Sequence, residues 1–157
     1  YGVKLTEINN FQAVKATFKN DIPAAIEFMK QSDSLQNTVF YGNPFNGGIK
    51  DCHDCDHVAY QKKKYSQLDF LTTIKTMQDK VAAKEEVYTN SLLLGNAFYN
   101  ITHFGNARIF YESKIAGYGS SPYSFREPIK KMITDCSLAK MYYQKAFEAF
   151  IVYKARL

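Results

Sequence analysis

The most reactive side chains of the sequence lie together in one short segment, DCHDCDH, at residues 51–57. Cys52 and Cys55 have the C-x2-C spacing with which two thiolates bind one Zn2+. His53 or His57 could supply further ligands, with a neighbouring aspartate completing the four that a structural zinc ion takes. The sequence has no second C-x2-C or H-x3-H pair elsewhere, so zinc binding rests on this segment alone.

Two other interpretations of the same segment remain open. Cys52 and Cys55 could close a disulfide, which would suit an exported protein because disulfides persist in oxidising compartments. Alternatively, Asp54 or Asp56 caps the helix that follows, and the cysteines fill small half-buried spaces. A redox enzyme is not expected, because the adjacent carboxylates disfavour the thiolate form that such chemistry needs.

The rest of the sequence contains no pattern typical of catalysis. It has no G-x-G-x-x-G or phosphate-binding loop, and no serine, histidine and acidic residue in a supporting context. Cys136 falls on the apolar stripe of the last predicted helix, and His103 lies among aromatic residues. Both are expected to be structural. We therefore predict a protein that is not an enzyme and binds no cofactor, with zinc as the alternative.

The composition is that of a single folded domain of 157 residues. Hydrophobic residues make up 46% and charged residues 22% of the chain, which excludes a disordered segment. The 12 Tyr and 12 Phe, with no Trp, predict a core built from aromatic rings. The few glycines and prolines cluster around residues 42–48 and 117–128, which favours long helices over a β-sandwich.

The net charge of +5 comes largely from lysines spread along the chain. The only compact run, Lys62–Lys64, has no arginine-rich or aromatic–basic stripe beside it, so we predict no nucleic-acid partner. No run of 18 apolar residues is present, so no membrane span is expected. Because the chain begins at Tyr1 and enters an amphipathic pattern at once, we expect it to be a piece of a longer protein.

The spacing of apolar residues predicts an all-α fold with about six helices. Within one domain, residues 1–35 are predicted to form a helical hairpin, residues 36–60 an irregular loop, and residues 61–157 the remaining helices. The almost uniformly apolar stretch Val87–Tyr111 predicts a buried helix or helix pair that turns at Gly105. The last helix is expected to begin near Ser124–Pro128 and to run to the end of the chain.

One segment of the sequence resembles a tetratricopeptide repeat. The stretch LLLGNAFYNITHFGNARIFYES matches the L-G-x2-Y…A-x3-F pattern at Leu94, Gly95, Phe98, Ala107 and Tyr111. In such repeats, small residues lie where two helices cross closely and large rings fill the space between successive hairpins. The resemblance therefore implies that these five residues pack a helical hairpin.

A second fragment, SLAKMYYQKAFEA, resembles the second helix of such a repeat at Ala139, Tyr143 and Ala146. Ala139 follows Ala107 by 32 residues, close to the 34-residue period of the family. The region between them departs from the pattern, because GYGSSPYSFREP stands where the next L-G-x2-Y is expected. Taken together, the two fragments imply stacked antiparallel hairpins that belong to a longer solenoid.

The resemblance implies a scaffold that binds a protein or peptide partner in the groove of its stacked hairpins. The loop and the helix pair also look similar to large uncharacterised repeat proteins of Bacteroidetes-type bacteria, which implies a location in the cell envelope. At the end of the chain, FIVYKARL predicts an exposed apolar stripe, through which two copies could pair.

Overall fold

The computed structural model describes residues 2–47 and 63–156. These residues form α-helices, short 3-10 turns and two isolated β-bridges but no β-strand, which confirms the predicted all-α class. The α-helices are α1 (Leu5–Phe18), α2 (Ile22–Lys30), α3 (Gln67–Ala82), α4 (Val87–Asn100), α5 (Glu127–Ile133) and α6 (Ser137–Ala155). The 3-10 turns are Asp33–Asn37, Arg108–Phe110 and Pro122–Ser124.

α1 and α2 pack against each other in antiparallel orientation. The chain reverses at Asn20, whose φ of 62° is left-handed, and Asp21 then caps α2 by accepting a hydrogen bond from the Ala24 N–H at 3.2 Å. At the other end of the pair, the Asn9 side chain donates to the Gln31 carbonyl at 3.1 Å. Asn9, in the second turn of α1, therefore lies beside the residue that follows α2.

The apolar residues Leu5, Ile8, Phe11, Val14 and Phe18, at three- and four-residue steps, predict a helix over residues 5–18 with one buried face. The helix has these bounds, but only part of the predicted face is buried. Leu5 is 70% exposed and Ile8 40% exposed, whereas Ala13 and Val14 are buried. α2 has nine residues and α1 has 14, so the first turns of α1 extend beyond the partner helix. Apolar spacing alone could not show how far α2 would cover its neighbour.

Buried phenylalanines cluster around Phe70 of α3. The Phe70 ring centroid lies 5.1 Å from Phe40, 5.4 Å from Phe45 and 5.5 Å from Phe110. All four rings are at most 5% exposed. These contacts join α3 to the loop before it and to the segment after α4, and they agree with the predicted aromatic core.

α4 packs against both α3 and α6. Its contact with α6 is close because Gly95 has no side chain beneath the Tyr143 ring, and because Phe98 stacks on Tyr142 with centroids 5.5 Å apart. The turn between α3 and α4 contains Lys84 and Glu86, with φ values of 60° and 44°.

The prediction of a second helix between Gly105 and Tyr111 is wrong. The chain turns at Gly105, as expected, and the Ala107 N–H then donates to the Asn100 carbonyl at 2.8 Å. Beyond this turn the chain forms only the 3-10 turn Arg108–Phe110, and a bridge pairs Ser113 with Gly117. Burial of aromatic side chains in the core holds this segment in an irregular path that its apolar composition did not reveal.

The predicted single helix at the end of the chain is two helices, α5 and α6. The break falls at Thr134–Cys136, where the Asp135 carboxylate accepts a hydrogen bond from the Ser137 N–H at 2.9 Å. Asp and Thr bond readily to nearby backbone groups, which competes with continuing the helix. The break allows α6 to lie along α4 while α5 packs elsewhere.

Candidate functional site

The end of α6 extends past the beginning of α4. The two helices are antiparallel, since the Tyr88 ring in the first turn of α4 lies 5.7 Å from the Phe150 ring near the end of α6. The residues after Phe150 therefore continue beyond the helix that covers the rest of α6. Ile151, Val152 and Tyr153 are accordingly 50%, 51% and 60% exposed. The predicted apolar stripe at this end of the chain is present.

The C-terminal part of α6, from Lys145 onwards, forms one wall of a groove of about 1010 Å3. The other wall is built from the end of α3, the turn after it and the first turn of α4. Most of the lining side chains are apolar, namely Val81, Val87, Tyr88, Ala149, Phe150, Val152 and Tyr153. Water-exposed apolar side chains that line a concavity are typical of a binding surface.

Charged side chains stand along the edge of the same groove. Lys84 comes from the turn after α3, whereas Lys145 lies on α6 and Arg156 directly follows α6, about three helical turns away. The acidic lining residues are Glu86 and Glu148. The site therefore combines an apolar floor with a rim in which positive charges outnumber negative ones.

A second feature is a set of asparagine side chains that fixes the loop Asn43–Asn46. Asn100 Nδ2 donates to the carbonyls of Pro44 at 2.8 Å and Asn46 at 2.9 Å. Asn96 Nδ2 donates to the carbonyl of Phe45 at 2.9 Å, and Asn106 Nδ2 to that of Asn43 at 3.1 Å. Four consecutive carbonyls thus accept hydrogen bonds from side-chain amides. We call Asn96, Asn100 and Asn106 the asparagine clamp.

The asparagine clamp is linked to α6 through Tyr143. The Tyr143 hydroxyl donates to Asn96 Oδ1 at 2.6 Å, which leaves the amide nitrogen of Asn96 directed at the loop. Burial raises the pKa of the Tyr143 hydroxyl, with a smaller effect from the neighbouring Tyr99. The hydroxyl therefore remains a hydrogen-bond donor well above neutral pH.

Tyr143 also lines a smaller concavity of about 350 Å3 between α4 and α6. Its other walls include Tyr99, Cys136 and Lys140. The cysteine is half-buried, and this burial raises the pKa of its thiol. The prediction that Cys136 lies in the core is thus only partly met, and the raised pKa disfavours the thiolate form that reactive cysteines need.

The structure brings together most of the residues expected to pack a repeat. Leu94, Gly95 and Phe98 lie on α4 and are buried. Gly95 contacts Tyr143 and Phe98 contacts Tyr142 on α6, the helix that also carries the buried Ala139 and Ala146. Ala107 and Tyr111 are also buried, but they flank the 3-10 turn after α4 and do not lie on a helix.

The predicted zinc ligands cannot be placed in the fold. Cys52, His53, Cys55 and His57 lie outside the described residues. Within residues 2–47 and 63–156, no three His, Cys, Asp or Glu side chains are grouped closely enough to hold a metal ion. His103 is buried, and its backbone N–H donates to the Ile133 carbonyl at 2.8 Å, consistent with the predicted structural role.

Comparisons with known proteins identify no relative. No protein-family model matches the chain, and neither the curated proteins nor the solved structures contain a significant match. Across the described ranges, none of the helices is both long and apolar enough to cross a bilayer.

Sequence reasoning missed the asparagine clamp and the inner wall of the groove. Asn96 and Asn100 are four residues apart on an apolar helix, so both lie on one face of it. This polar pair could have indicated a site of buried hydrogen bonds. The groove had no comparable signal, because Lys84 and Tyr88 lie far from α6 in sequence. Only the packing of α3, α4 and α6 brings them together.

Proposed function

We propose that this chain is a non-catalytic helical scaffold that binds a partner protein or peptide in the groove between α4 and the end of α6. The observation that carries the proposal is the exposed apolar face of α6 beyond Phe150, together with the concave wall opposite it. Leaving such side chains in water is unfavourable by about 25 cal/mol per Å2. A partner that covers them would recover this free energy.

The shape of the groove suits an amphipathic helix. Its α6 wall runs from Lys145 to Arg156, so it spans about 17 Å at a rise of 1.5 Å per residue. A partner helix of three turns would match that length and place side chains at i, i+3, i+4 and i+7 against the floor. A tetratricopeptide-like role is part of the same proposal, supported by the close crossing at Gly95 and Tyr143.

Pairing of two copies through α6 would cover the same residues and is the other form that this function could take. Sedimentation velocity over a range of protein concentrations measures it directly. Dimerisation that disappears in Val152→Glu would show that the groove face joins two copies. The matched control is Val39→Glu, because Val39 is a valine of similar exposure, 44%, that does not line the groove.

The proposal is tested with an 18-residue amphipathic peptide that has leucines on one face and glutamines on the other. We expect the peptide to protect the amides of the α3–α4 turn and the end of α6 in hydrogen exchange. Val152→Glu should abolish this protection and Val39→Glu should leave it unchanged. If the peptide protects no amide in these two regions, the groove is not a helix-binding site.

A further inference from the structure

The rim charges of the groove are arranged unequally on its two sides. On the α6 side, Lys145 and Arg156 line the groove, and Lys154 lies beside it with its ammonium 5.6 Å from the Phe150 ring centroid. The acidic residue on this side, Glu148, already accepts a hydrogen bond from Gln144 at 3.2 Å. The lining residues of the α6 wall are thus two cations and one carboxylate that keeps its negative charge, with Lys154 as a third cation beside the wall.

The opposite wall adds one cation and one anion from the α3–α4 turn. Lys84 and Glu86 both line the groove, and both side chains are exposed. Their charges cancel, so the groove as a whole keeps the positive excess of the α6 wall. An occupant of the groove would meet three cations, Lys84, Lys145 and Arg156, against two carboxylates. These charges lie close to apolar side chains, where charge interactions are screened less than in open solvent.

We propose that the occupant is an amphipathic helix of another protein whose apolar face is flanked by aspartates and glutamates. The inference rests on the proposed function and names the chemistry of the partner. Leucine-like side chains would contact Val152, Tyr153 and Tyr88, while flanking carboxylates would reach Lys145 and Arg156. Arginine in particular binds carboxylates through two parallel hydrogen bonds.

Charge also distinguishes this partner from a second copy of the chain. Two α6 helices packed face to face would each present Lys145, Lys154 and Arg156 with a single carboxylate, Glu148, so cations would outnumber anions in the interface. Like charges held close together destabilise an interface. The concave shape of the site likewise favours a helix over a flat lipid surface, which would contact protruding side chains and not the floor of a groove.

The experiment compares three 18-residue peptides that share one leucine face and differ only in their flanks, which carry glutamate, glutamine or lysine. Binding is followed by fluorescence anisotropy at low and at moderate salt. We expect the glutamate peptide to bind at least about tenfold more tightly than the lysine peptide, and the difference to shrink with added salt.

Charge reversal on the protein provides the complementary test. Lys145→Glu and Arg156→Glu should each weaken binding of the glutamate peptide severalfold and tighten binding of the lysine peptide. Lys131→Glu makes the same change at an exposed lysine of α5 that does not line the groove, so it should alter neither affinity. Circular dichroism of each variant establishes that it is folded before affinities are compared.

Each other outcome overturns the inference in a distinct way. Equal binding of the glutamate and lysine peptides would refute acidic recognition and leave the groove as a helix-binding site. If none of the three peptides bound, both the inference and the proposed function would fail. A dimer that is lost in Val152→Glu, or flotation with anionic vesicles that is lost in the same variant, would assign the groove to a second copy or to a lipid surface.

Discussion

Gly95 in α4 lies directly under the aromatic ring of Tyr143 in α6. A Cβ atom at position 95 would lie 2.5 Å from Cδ1 and 2.6 Å from Cε1 of that ring. The ring cannot easily move away, because its hydroxyl is bonded to Asn96 Oδ1 at 2.6 Å. The contact between α4 and α6 therefore depends on the absence of a side chain at this position.

Gly95→Ala should lower the free energy of unfolding by about 1–2 kcal/mol, since forcing a methyl group into a packed contact outweighs the gain in helix propensity. In a Tyr143→Ala background the same change should instead stabilise the protein by about 1 kcal/mol, the usual preference for alanine in a helix. Urea denaturation of the four proteins in this cycle measures both values. The same sign in both backgrounds would contradict the proposed contact.

Asn100→Ala should destabilise the protein by about 3 kcal/mol. The substitution removes the donor for two carbonyls, those of Pro44 and Asn46, and a buried acceptor left without a donor costs roughly 1–3 kcal/mol. Asn9→Ala is the matched control, because Asn9 donates a single exposed hydrogen bond to Gln31. Denaturant midpoints compare the two variants, and equal losses would mean that the asparagine clamp adds no stability of its own.

Ionisation of the Tyr111 hydroxyl should make the protein less stable at high pH. The side chain is 1% exposed, its hydroxyl has no hydrogen-bond partner among the described residues, and burial raises the pKa of this hydroxyl above its usual value. Deprotonation therefore favours the unfolded chain, in which the pKa is about 10. The stabilising contribution is complete below that pH and is lost as the pH rises further.

Tyr111→Phe should accordingly be nearly neutral at pH 7, because it removes a hydroxyl that makes no hydrogen bond within the described residues. Above about pH 10 the variant should lose stability less steeply than the unsubstituted protein. Urea denaturation at pH values on both sides of 10 gives the two slopes. Identical slopes would show that Tyr111 titrates similarly in the folded and unfolded chain.

Cys136 should react slowly with iodoacetamide in the folded protein. Burial raises the pKa of the thiol; a hydrogen bond with Thr102 lowers it by less, and the Asp135 charge raises it slightly. Less thiolate is therefore present at neutral pH. We expect alkylation at least about tenfold slower in the native protein than in urea. Mass spectrometry of the peptide that contains Cys136 measures both rates, and equal rates would contradict the half-buried position.

Mass spectrometry of alkylated peptides also distinguishes the three interpretations of Cys52 and Cys55, namely free thiols, a disulfide and zinc ligands. Protein purified without reductant and alkylated after unfolding will carry two labels there if the thiols are free or metal-bound, and none if they form a disulfide. A native mass that exceeds the denatured mass by one zinc ion separates the first two cases. Loss of that excess in Cys52→Ser would identify the ligand.

Several elements of the fold were readable because their causes are local. Apolar residues at helical spacing predicted α1 with its observed bounds, and Asp21 before Ile22 is a cap that acts within four residues. Gly105 was expected to turn the chain and does so, since a Cβ there would lie 2.1 Å from the Asn100 backbone. Each signal and its structural effect lie close together in the chain.

The errors arose where distant packing decided the structure. The segment after Gly105 is as apolar as a helix, yet Phe110 is held in the aromatic core by Phe40 and Phe70, and the chain there follows an irregular path. The break before α6 could not be predicted from the sequence either, because residues such as Thr134 and Asp135 are tolerated within many amphipathic helices. In both places the apolar spacing predicted a helix, whereas contacts that this spacing does not reveal determined the structure.

The sequence by itself therefore determined that the protein is helical, rich in aromatic core residues and left with an apolar face at the end of its last helix. These properties follow from composition, spacing and caps, which act over one or two helical turns. Only the tertiary structure decided that α6 extends beyond α4, that Lys84 faces Lys145 across a groove, and that asparagines fix a loop some 50 residues earlier. Such relationships depend on how far one helix covers another, and that length is set by all the packed elements together.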